Sequence, residues 1–323
     1  MNILFCSAGR RAELLKYFRQ SLSEGSRIIA TDMSPYAPAI YFADAHYIVP
    51  SIYNEKYLDT VLDICCKEKI DAITTLIDPE IEILAANRNV FESIGVQVLA
   101  PYSETAALCF DKYKLFQYLK SLNIPTANTY GSFSEAQQAI NDGLLQLPVF
   151  VKPRTGSGSV GARKIDSIDD LNTACNTDPS LIIQEYMQCE DIDADVYIDT
   201  VTNLPVSIFS KRKIETKIGG ASKTISFNDN RLIEFLCNTL KHFKFNGPID
   251  VDLFFKNGQY YLSEINPRFG GAYLHAYGAG VDFIKLIENN VNCQANQPCF
   301  GNYESDIVMM MYDSVVIKKI NHE

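Results

Sequence analysis

The chain has 323 residues, 47% of them hydrophobic and 21% charged, with a formal net charge of −10. This length exceeds that of an average domain, and the composition is typical of a folded globular protein. The negative charge argues against a broad surface that binds nucleic acid or anionic membranes. The sequence has no run of about 20 apolar residues, the length that a membrane-spanning helix needs.

Strand and helix patterns alternate over the first hundred residues. The predicted strands are 3–6, 27–32, 45–49, 71–76 and 95–99, and the predicted helices are 11–21, 57–67 and 79–87. This order predicts an open, doubly wound parallel sheet. Because ligands of such sheets bind at the carboxyl ends of the strands, residues 7–11, Asp32 and Asp78 are candidates for a cleft. The charges of Arg10, Arg11, Asp78 and Glu80 suggest a zwitterion-like substrate.

The pattern changes after residue 103. Helices are predicted at 103–110, 112–122, 134–141 (capped by Ser134) and 167–176, and strands at 147–152, 162–165 and 181–185. The remainder is typical of a long antiparallel sheet, with helices at 229–243 and 280–290.

A glycine-rich segment, GSGSVG at 156–161, lies between two predicted strands. A dinucleotide-binding G-x-G-x-x-G would open a helix, so this segment is interpreted as a hairpin flap whose backbone N–H groups approach phosphates. Lys152 ends the entering strand among apolar residues, so its ammonium group would need an anionic partner if it points inward. The alternative is a lysine on the solvated face of an edge strand, and the glycine segment that follows favours phosphate binding over it. A protein kinase is disfavoured, because kinases place the glycine loop before the lysine and carry HRD and DFG motifs.

A second candidate site is the hairpin of residues 247–268, whose turn contains Asn-Gly. Asp250 and Asp252 share one face of the first strand, and Glu264 and Asn266 share one face of the second. Asp252 should lie close to Glu264, and two facing acids repel unless a cation lies between them. The alternative is that both aspartates face solvent. Hard oxygen ligands suit Mg²⁺, and Arg268 suits a phosphoryl or carboxylate group.

Six ordered segments together resemble the ATP-grasp superfamily, especially its carbamoyl-phosphate-synthase-like branch. They are DKYK (111–114), VFVKP (149–153), GSGSVG (156–161), IIQEYM (182–187), GPIDVD (247–252) and SEINPRFGG (263–271). The resemblance implies an α/β pre-ATP-grasp domain at 1–103, followed by an ATP-grasp domain at 104–323. The second domain would contain a small glycine-flap lobe at about 123–186 and a catalytic lobe at about 187–323. This C-terminal part would be of the α+β class, with an antiparallel sheet.

The resemblance also implies roles for individual residues. The nucleotide-binding residues would be Lys112, Lys152, Gly156, Ser157, Gly158, Ser159, Val160, Gly161, Gln184, Glu185, Tyr186, Met187 and Asp191. The metal ligands would be Asp252, Glu264 and Asn266, and the catalytic side chains Arg268, Lys152 and Arg212. Asp191 stands where the family usually has a ribose-binding glutamate, and Asp252 where relatives often have glutamine.

The expected activity is that of an ADP-forming carboxylate–amine ligase that uses ATP and Mg²⁺, with Mn²⁺ as an alternative. The expected partners are small-molecule carboxylates and amines, without nucleic acid or membrane, and analogy with relatives leaves a homodimer open. Two alternatives remain: a non-catalytic ATP-binding sensor or assembly protein, and an enzyme that forms carboxyphosphate. An oxidoreductase on the first sheet lacks the glycine fingerprint. Nine cysteines without a CxxC motif and four scattered histidines give no disulfide or zinc framework, and the expected location is the cytoplasm.

Overall fold

The computed structural model describes residues 1–156, 158, 160–217 and 220–319, which form three sheets around a common cleft. None of the helices in this described part is long and apolar enough to cross a bilayer.

The N-terminal sheet confirms the predicted doubly wound arrangement. Its strands are β1 (Asn2–Cys6), β2 (Arg27–Asp32), β3 (Ala45–Ile48), β4 (Ala72–Thr75) and β5 (Gln97–Val98). The helices are α1 (Ala12–Ser21), α2 (Tyr57–Glu68), α3 (Asp78–Ala86) and α4 (Arg88–Ser93), with a 3-10 helix at Pro38–Phe42. All pairings are parallel, in the order β3-β2-β1-β4-β5. The order reverses beside β1, so the segments after β1 and β4 meet at the switch point.

The middle of the chain builds a small antiparallel sheet. It comprises α5 (Ser103–Phe110), α6 (Lys112–Ser121), β6 (Thr129–Tyr130), α7 (Phe133–Asn141), β7 (Val149–Pro153), β8 (Arg163–Ile165), α8 (Ile168–Thr177) and β9 (Leu181–Glu185). The strand order is β6-β9-β7-β8, and the glycine segment joins the antiparallel strands β7 and β8 as predicted. The predicted cap of α7 was wrong: Ser132, not Ser134, accepts a hydrogen bond from the backbone N–H of Glu135. Ser132 has the extended backbone that an N-cap requires, and Ser134 already lies within the helix.

The C-terminal sheet has six antiparallel strands in the described part of the chain. Its elements are β10 (Glu190–Ile198), β11 (Pro205–Lys217), β12 (Gly220–Ser226), α9 (Asn230–Leu240), β13 (Gly247–Lys256), β14 (Gln259–Asn266), α10 (Tyr273–Gly278), α11 (Phe283–Val291) and β15 (Val308–Met310). The order is β14-β13-β10-β11-β12-β15. The short helices α4 and α10 were not predicted. Helix α11 begins three residues later than expected, because Asp282 caps it.

The two faces of this sheet have opposite character. On β10, Ile192, Ala194 and Val196 belong to a hydrophobic core that also contains residues of α6 and α9. Their neighbours Asp191, Asp193 and Asp195 therefore point to the other face, because side chains alternate along a strand. Strand β13 follows the same rule. The apolar face anchors the sheet, and the acidic face is turned toward the cleft.

Candidate active site

A cleft of about 1010 Å³ lies between the three sheets. Most of the predicted site residues line it: Lys112, Lys152, Gly156, Gly158, Val160, Gln184, Glu185, Tyr186, Met187, Asp191, Asp252, Glu264, Asn266 and Arg268. Ser157 and Ser159 lie outside the described residues. The N-terminal sheet contributes Arg11 and Asp78 to the wall.

The glycine segment covers one side of the cleft with exposed backbone. Gly156 and Gly158 have φ angles of +100° and +74°, which residues other than glycine rarely adopt. Gly161, with a φ of +77°, packs against the Pro153 ring instead of lining the cleft. This backbone can approach a phosphate group without interference from side chains.

Two of the predicted lysines lie in the cleft beside the glycine segment and Glu264. Lys152, which is 7% exposed, places its Nζ 2.8 Å from Oε1 of Glu264. Lys112 is the first residue of α6 and donates from Nζ to the carbonyl of Gly156 at 2.5 Å. Burial lowers the pKa of Lys112, partly offset by the charge of Glu264. Lys152 thus has the anionic partner that its apolar flanks required, and Lys112 reaches the glycine segment from the opposite side.

The predicted metal ligands come together on one face of the β13–β14 hairpin. Asp252 lies directly opposite Glu264, and Asn266 opposite Asp250, which confirms that Asp252 lies close to Glu264. Asn266 Nδ2 donates to Asp252 Oδ2 at 3.2 Å. Two carboxylates and one amide group form a hard oxygen donor set of the kind that Mg²⁺ prefers. The residues therefore fit a divalent cation.

The structure places the predicted catalytic residue Arg212 away from the cleft. Its guanidinium packs over the Phe227 ring and pairs with Glu190 at 2.7 Å on the opposite face of β11. Because side chains alternate along a strand, the neighbouring Lys213 faces the cleft instead. The KRK run at 211–213 signals basic character in the sequence but does not reveal which residue points inward.

Lys213 bridges two acids of the cleft wall. Its Nζ lies 3.0 Å from Asp191 Oδ1 and hydrogen-bonds Asp252. Burial disfavours the charge on Lys213, but the two carboxylates outweigh it and raise the lysine pKa well above its ordinary value. Burial likewise opposes ionisation of Asp252, yet Lys213 holds its pKa below the usual range. Both groups are therefore charged at neutral pH.

The segment predicted to bind adenine borders the cleft between the small and the C-terminal sheets. Gln184 is buried and donates to Thr129 Oγ1 at 3.0 Å, and Glu185 accepts from the backbone N–H of Asn128 at 2.8 Å. Tyr186 and Met187 continue the wall toward Asp191. These hydrogen bonds fix the segment in place and leave its backbone next to the cleft.

Arg268 links the N-terminal and C-terminal sheets. Its Nε lies 2.9 Å from Asp78 Oδ1 at the start of α3, and its Nη1 lies 3.3 Å from Asp250 Oδ2. Burial opposes its charge, but these two acids raise the pKa of the arginine. The other two charged residues that were predicted to face the substrate do not line the cleft. Arg10 is exposed, and Glu80 is fully buried and accepts a hydrogen bond from the Thr75 hydroxyl.

Sequence reasoning missed a cluster of buried acids beside the predicted metal ligands. One oxygen from each of Asp193, Asp195 and Asp250 lies within 4.8 Å of the others. Lys211, which is fully buried, pairs with Asp193 at 3.2 Å and more closely with Asp195. Burial raises the pKa of Asp195 to about 6 and that of Asp250 well above its ordinary value. The alternating acids of DIDAD at 191–195 were the available signal.

Family models match the two parts of the chain separately. Residues 3–99 match the PylC-like N-terminal domain, and residues 109–272 match the ATP-grasp domain.

Curated relatives are about one quarter identical to this chain within the aligned segments. The carbamoyl phosphate synthase large chain of Clostridium acetobutylicum is 23% identical over 67% of this chain and 21% of its own length. The 3-methyl-D-ornithine–L-lysine ligase of Methanosarcina barkeri is 25% identical over 60% of this chain and 47% of its own length. The chain thus spans less than two thirds of the length of either relative.

A solved structure shares the fold. The N5-carboxyaminoimidazole synthetase of Staphylococcus aureus, complexed with ADP, superposes with a TM-score of 0.74 at 17% identity, over 93% of this chain and 79% of that one. The ATP-grasp model alone spans half of the 323 residues, and its matched range contains the lysines, the glycine segment and the acidic hairpin. This chain belongs to the ATP-grasp family and carries a PylC-like N-terminal domain.

Proposed function

We propose that the chain is an ADP-forming ligase that activates a carboxylate with ATP and joins it to an amine. The observation that carries this proposal is the convergence of basic and acidic side chains in one cleft. Lys112, Lys152 and Lys213 lie next to Asp252 and Glu264, at the position where nucleotide phosphates would have to lie.

The reaction divides into two steps. A carboxylate oxygen of the substrate attacks the γ-phosphorus of ATP, forming an acyl phosphate and releasing ADP. An amine then attacks the acyl carbon, phosphate leaves, and the amine nitrogen loses a proton. Neither step needs a nucleophilic side chain, so catalysis depends on positioning and on neutralising charge.

The charged residues serve these needs directly. Lys112 and Lys152 would bind the phosphates of ATP. Lys213 would supply the third positive charge, in place of the predicted Arg212. Mg²⁺, held by Asp252, Glu264 and Asn266, would neutralise phosphate charge. Arg268 would stabilise the acyl phosphate, since a guanidinium binds phosphate and carboxylate oxygens with two N–H groups. The glycine segment would exclude water from the labile acyl phosphate.

The nucleotide base would bind between the small and the C-terminal sheets. The backbone of 184–187 would contact adenine, and Asp191 would contact the ribose. We also propose domain boundaries at 103/104 and about 186/187, which would put the nucleotide between two lobes. The names of the curated relatives, which include a ligase for two amino acids, support the formation of a C–N bond.

Nucleotide turnover tests the proposal. Purified protein is incubated with Mg-ATP and pools of carboxylates and amines, and ADP, AMP and phosphate are quantified. We expect ADP and phosphate only when an acid and an amine are both present, and Asp252→Asn should abolish their formation. AMP with pyrophosphate would contradict the acyl phosphate, bicarbonate-dependent ADP would indicate carboxyphosphate, and binding without turnover across complete pools would favour a sensor.

A further inference from the structure

The inner end of the cleft, beyond the proposed phosphate and metal residues, has walls of opposite charge. One wall is the buried acid cluster of β10 and β13, and the other is formed by Arg11 and Arg268. Asp193, Asp250, Arg11 and Arg268 all line the same cleft. The two-step reaction gives a role to Arg268 but none to Arg11 or to the acid cluster.

The acidic wall has few cationic partners. Asp193 is 4% exposed and lines the cleft, and among the described residues only the Lys211 ammonium group, 3.2 Å from Oδ1, lies within ion-pair distance of its carboxylate. Its neighbour Asp195 has one buried oxygen, Oδ1, without a hydrogen-bond partner among the described residues. Lys211 is shared between these two acids and bonds the second more closely. Two buried carboxylates that share one ammonium group are incompletely compensated, so this wall favours a ligand that supplies N–H groups and positive charge.

On the basic wall, Arg11 lacks a carboxylate partner in the part of the chain that the structure describes. Arg11 donates from Nη2 to the carbonyls of Phe269 and Gly270, at 3.3 and 2.6 Å. Among the described residues no carboxylate lies within 4 Å of this guanidinium, whereas Arg268 has two acid partners. Arg11 can therefore accept an anionic group without breaking an existing ion pair, and that group would lie beside Arg268.

We propose that the inner cleft binds an α-amino acid, with its ammonium group at Asp193 and Asp250 and its carboxylate at Arg11. The site rests on the proposed function, because this carboxylate would then lie beside Arg268 and the metal ligands, where activation takes place. The amino group is held protonated by the acids and has no free electron pair. The attacking amine therefore belongs to a second molecule.

A divalent cation at the same acids explains the structure less well. A metal ion would leave Arg11 without an anionic partner. An amino acid satisfies both walls at once.

Binding of analogues separates the two walls. Amino acids, L and D, are titrated calorimetrically into protein saturated with MgADP. For each one that binds, two analogues are then tested: the acid without its amino group, and the amine whose carboxylate is replaced by hydroxymethyl. We expect both analogues to bind at least about ten-fold more weakly than the amino acid, because each loses a charge-assisted interaction.

Variants of the two walls test which wall binds the ammonium group of the ligand and which binds its carboxylate. Asp193→Asn should weaken the amino acid by about ten-fold or more but leave the deamino acid unchanged, whereas Arg11→Gln should weaken both and spare the hydroxymethyl amine. Arg10→Gln, an exposed neighbour, and Asp59→Asn, on the surface of α2, are the controls. MgADP affinity should stay constant in all four variants, which shows that each one is folded.

The results that overturn the amino acid site differ from those that overturn the ligase. If no amino acid binds, if deamino acids bind equally well, or if Mg²⁺ alone is lost in Asp193→Asn, the inner cleft has another ligand. ADP formation with simple acids would then still support the ligase. If amino acids bind as expected but no amine yields ADP, the site stands and the ligase reaction fails.

Discussion

The three consecutive basic residues of β11 occupy three different environments. Lys211 is fully buried between two aspartates, Arg212 packs over an aromatic ring on the outer face, and Lys213 bridges Asp191 and Asp252 at the cleft. Charge and position along the chain are almost the same for all three. Their roles differ because alternation along the strand sends neighbours to opposite faces, and burial determines how strongly each is coupled to its acids.

The neighbours Lys213 and Arg212 make a direct test of this assignment. Lys213→Met should lower ADP formation by about 100-fold, because it removes a positive charge from a water-poor phosphate site. Arg212→Met should change it by no more than about two-fold, since an exposed ion pair contributes little. Steady-state rates and the Mg²⁺ dependence of both variants provide the measurement. A larger loss in Arg212→Met would return the catalytic role to that residue.

The element that shapes the inner cleft is the segment from β14 to α10. Gly270 passes so close to the acid cluster that a Cβ built on it would lie 2.6 Å from Asp250 Oδ1 and 2.9 Å from Asp195 Oδ1. Asp250 is held by Arg268 and Asn266, so it has little freedom to move away. Glycine is required at position 270 because the backbone passes close to the two aspartates, and not because of a positive φ.

Gly270→Ala is therefore expected to destabilise the protein by about 1–3 kcal/mol, the usual effect of an extra methyl group in a packed site. Gly278→Ala, in α10 with no atom within 4 Å of its Cβ position, should be neutral or slightly stabilising. Urea unfolding of the two variants measures the difference. Equal stabilities would show that the acid cluster can rearrange around the added methyl group.

At the scale of the whole molecule, the N-terminal sheet completes a site that is otherwise built by the C-terminal one. The segments after β1 and β4 supply Arg11 and Asp78, and the Phe18 and Phe269 rings, with centroids 5.6 Å apart, join the two units. Behind Asp78, the carboxyl group of Glu80 is fully buried at the start of α3. Burial, and to a smaller extent the charge of Asp32, raises the pKa of Glu80 from 4.5 to about 7.

This shift predicts how global stability depends on pH. Because the folded state holds the Glu80 proton more tightly than the unfolded state, its contribution is complete below pH 4.5 and is lost as pH rises toward 7. The loss should be on the order of 1–3 kcal/mol. Glu80→Gln should remove this slope from the free energy of unfolding between about pH 5 and 8, whereas the exposed Glu82→Gln should keep it. Parallel slopes in wild type and Glu80→Gln would contradict a raised pKa.

The sequence by itself determined the features that depend on local pattern. Alternation of strands and helices predicted the parallel sheet, and the Asn-Gly turn predicted a hairpin in which Asp252 lies close to Glu264. The direct pairing of these two residues depends on a register shift between Asp252 and Leu253, which the turn does not encode. The glycine segment between two strands could be distinguished from a dinucleotide loop because the residues after it have strand character. Each of these conclusions involves residues within about a dozen positions of one another.

Only the tertiary structure decided which sides of the elements meet. Alternation shows that Lys211 and Lys213 share a face, but the packing of the core determines which face borders the cleft. Asp78 and Arg268 are 190 residues apart, and their contact follows from the docking of two sheets. The pairing of β10 with β13 likewise brings Asp193 and Asp195 to Asp250. Such contacts depend on long-range packing, which no local pattern encodes, and they create the inner cleft where we place the amino acid.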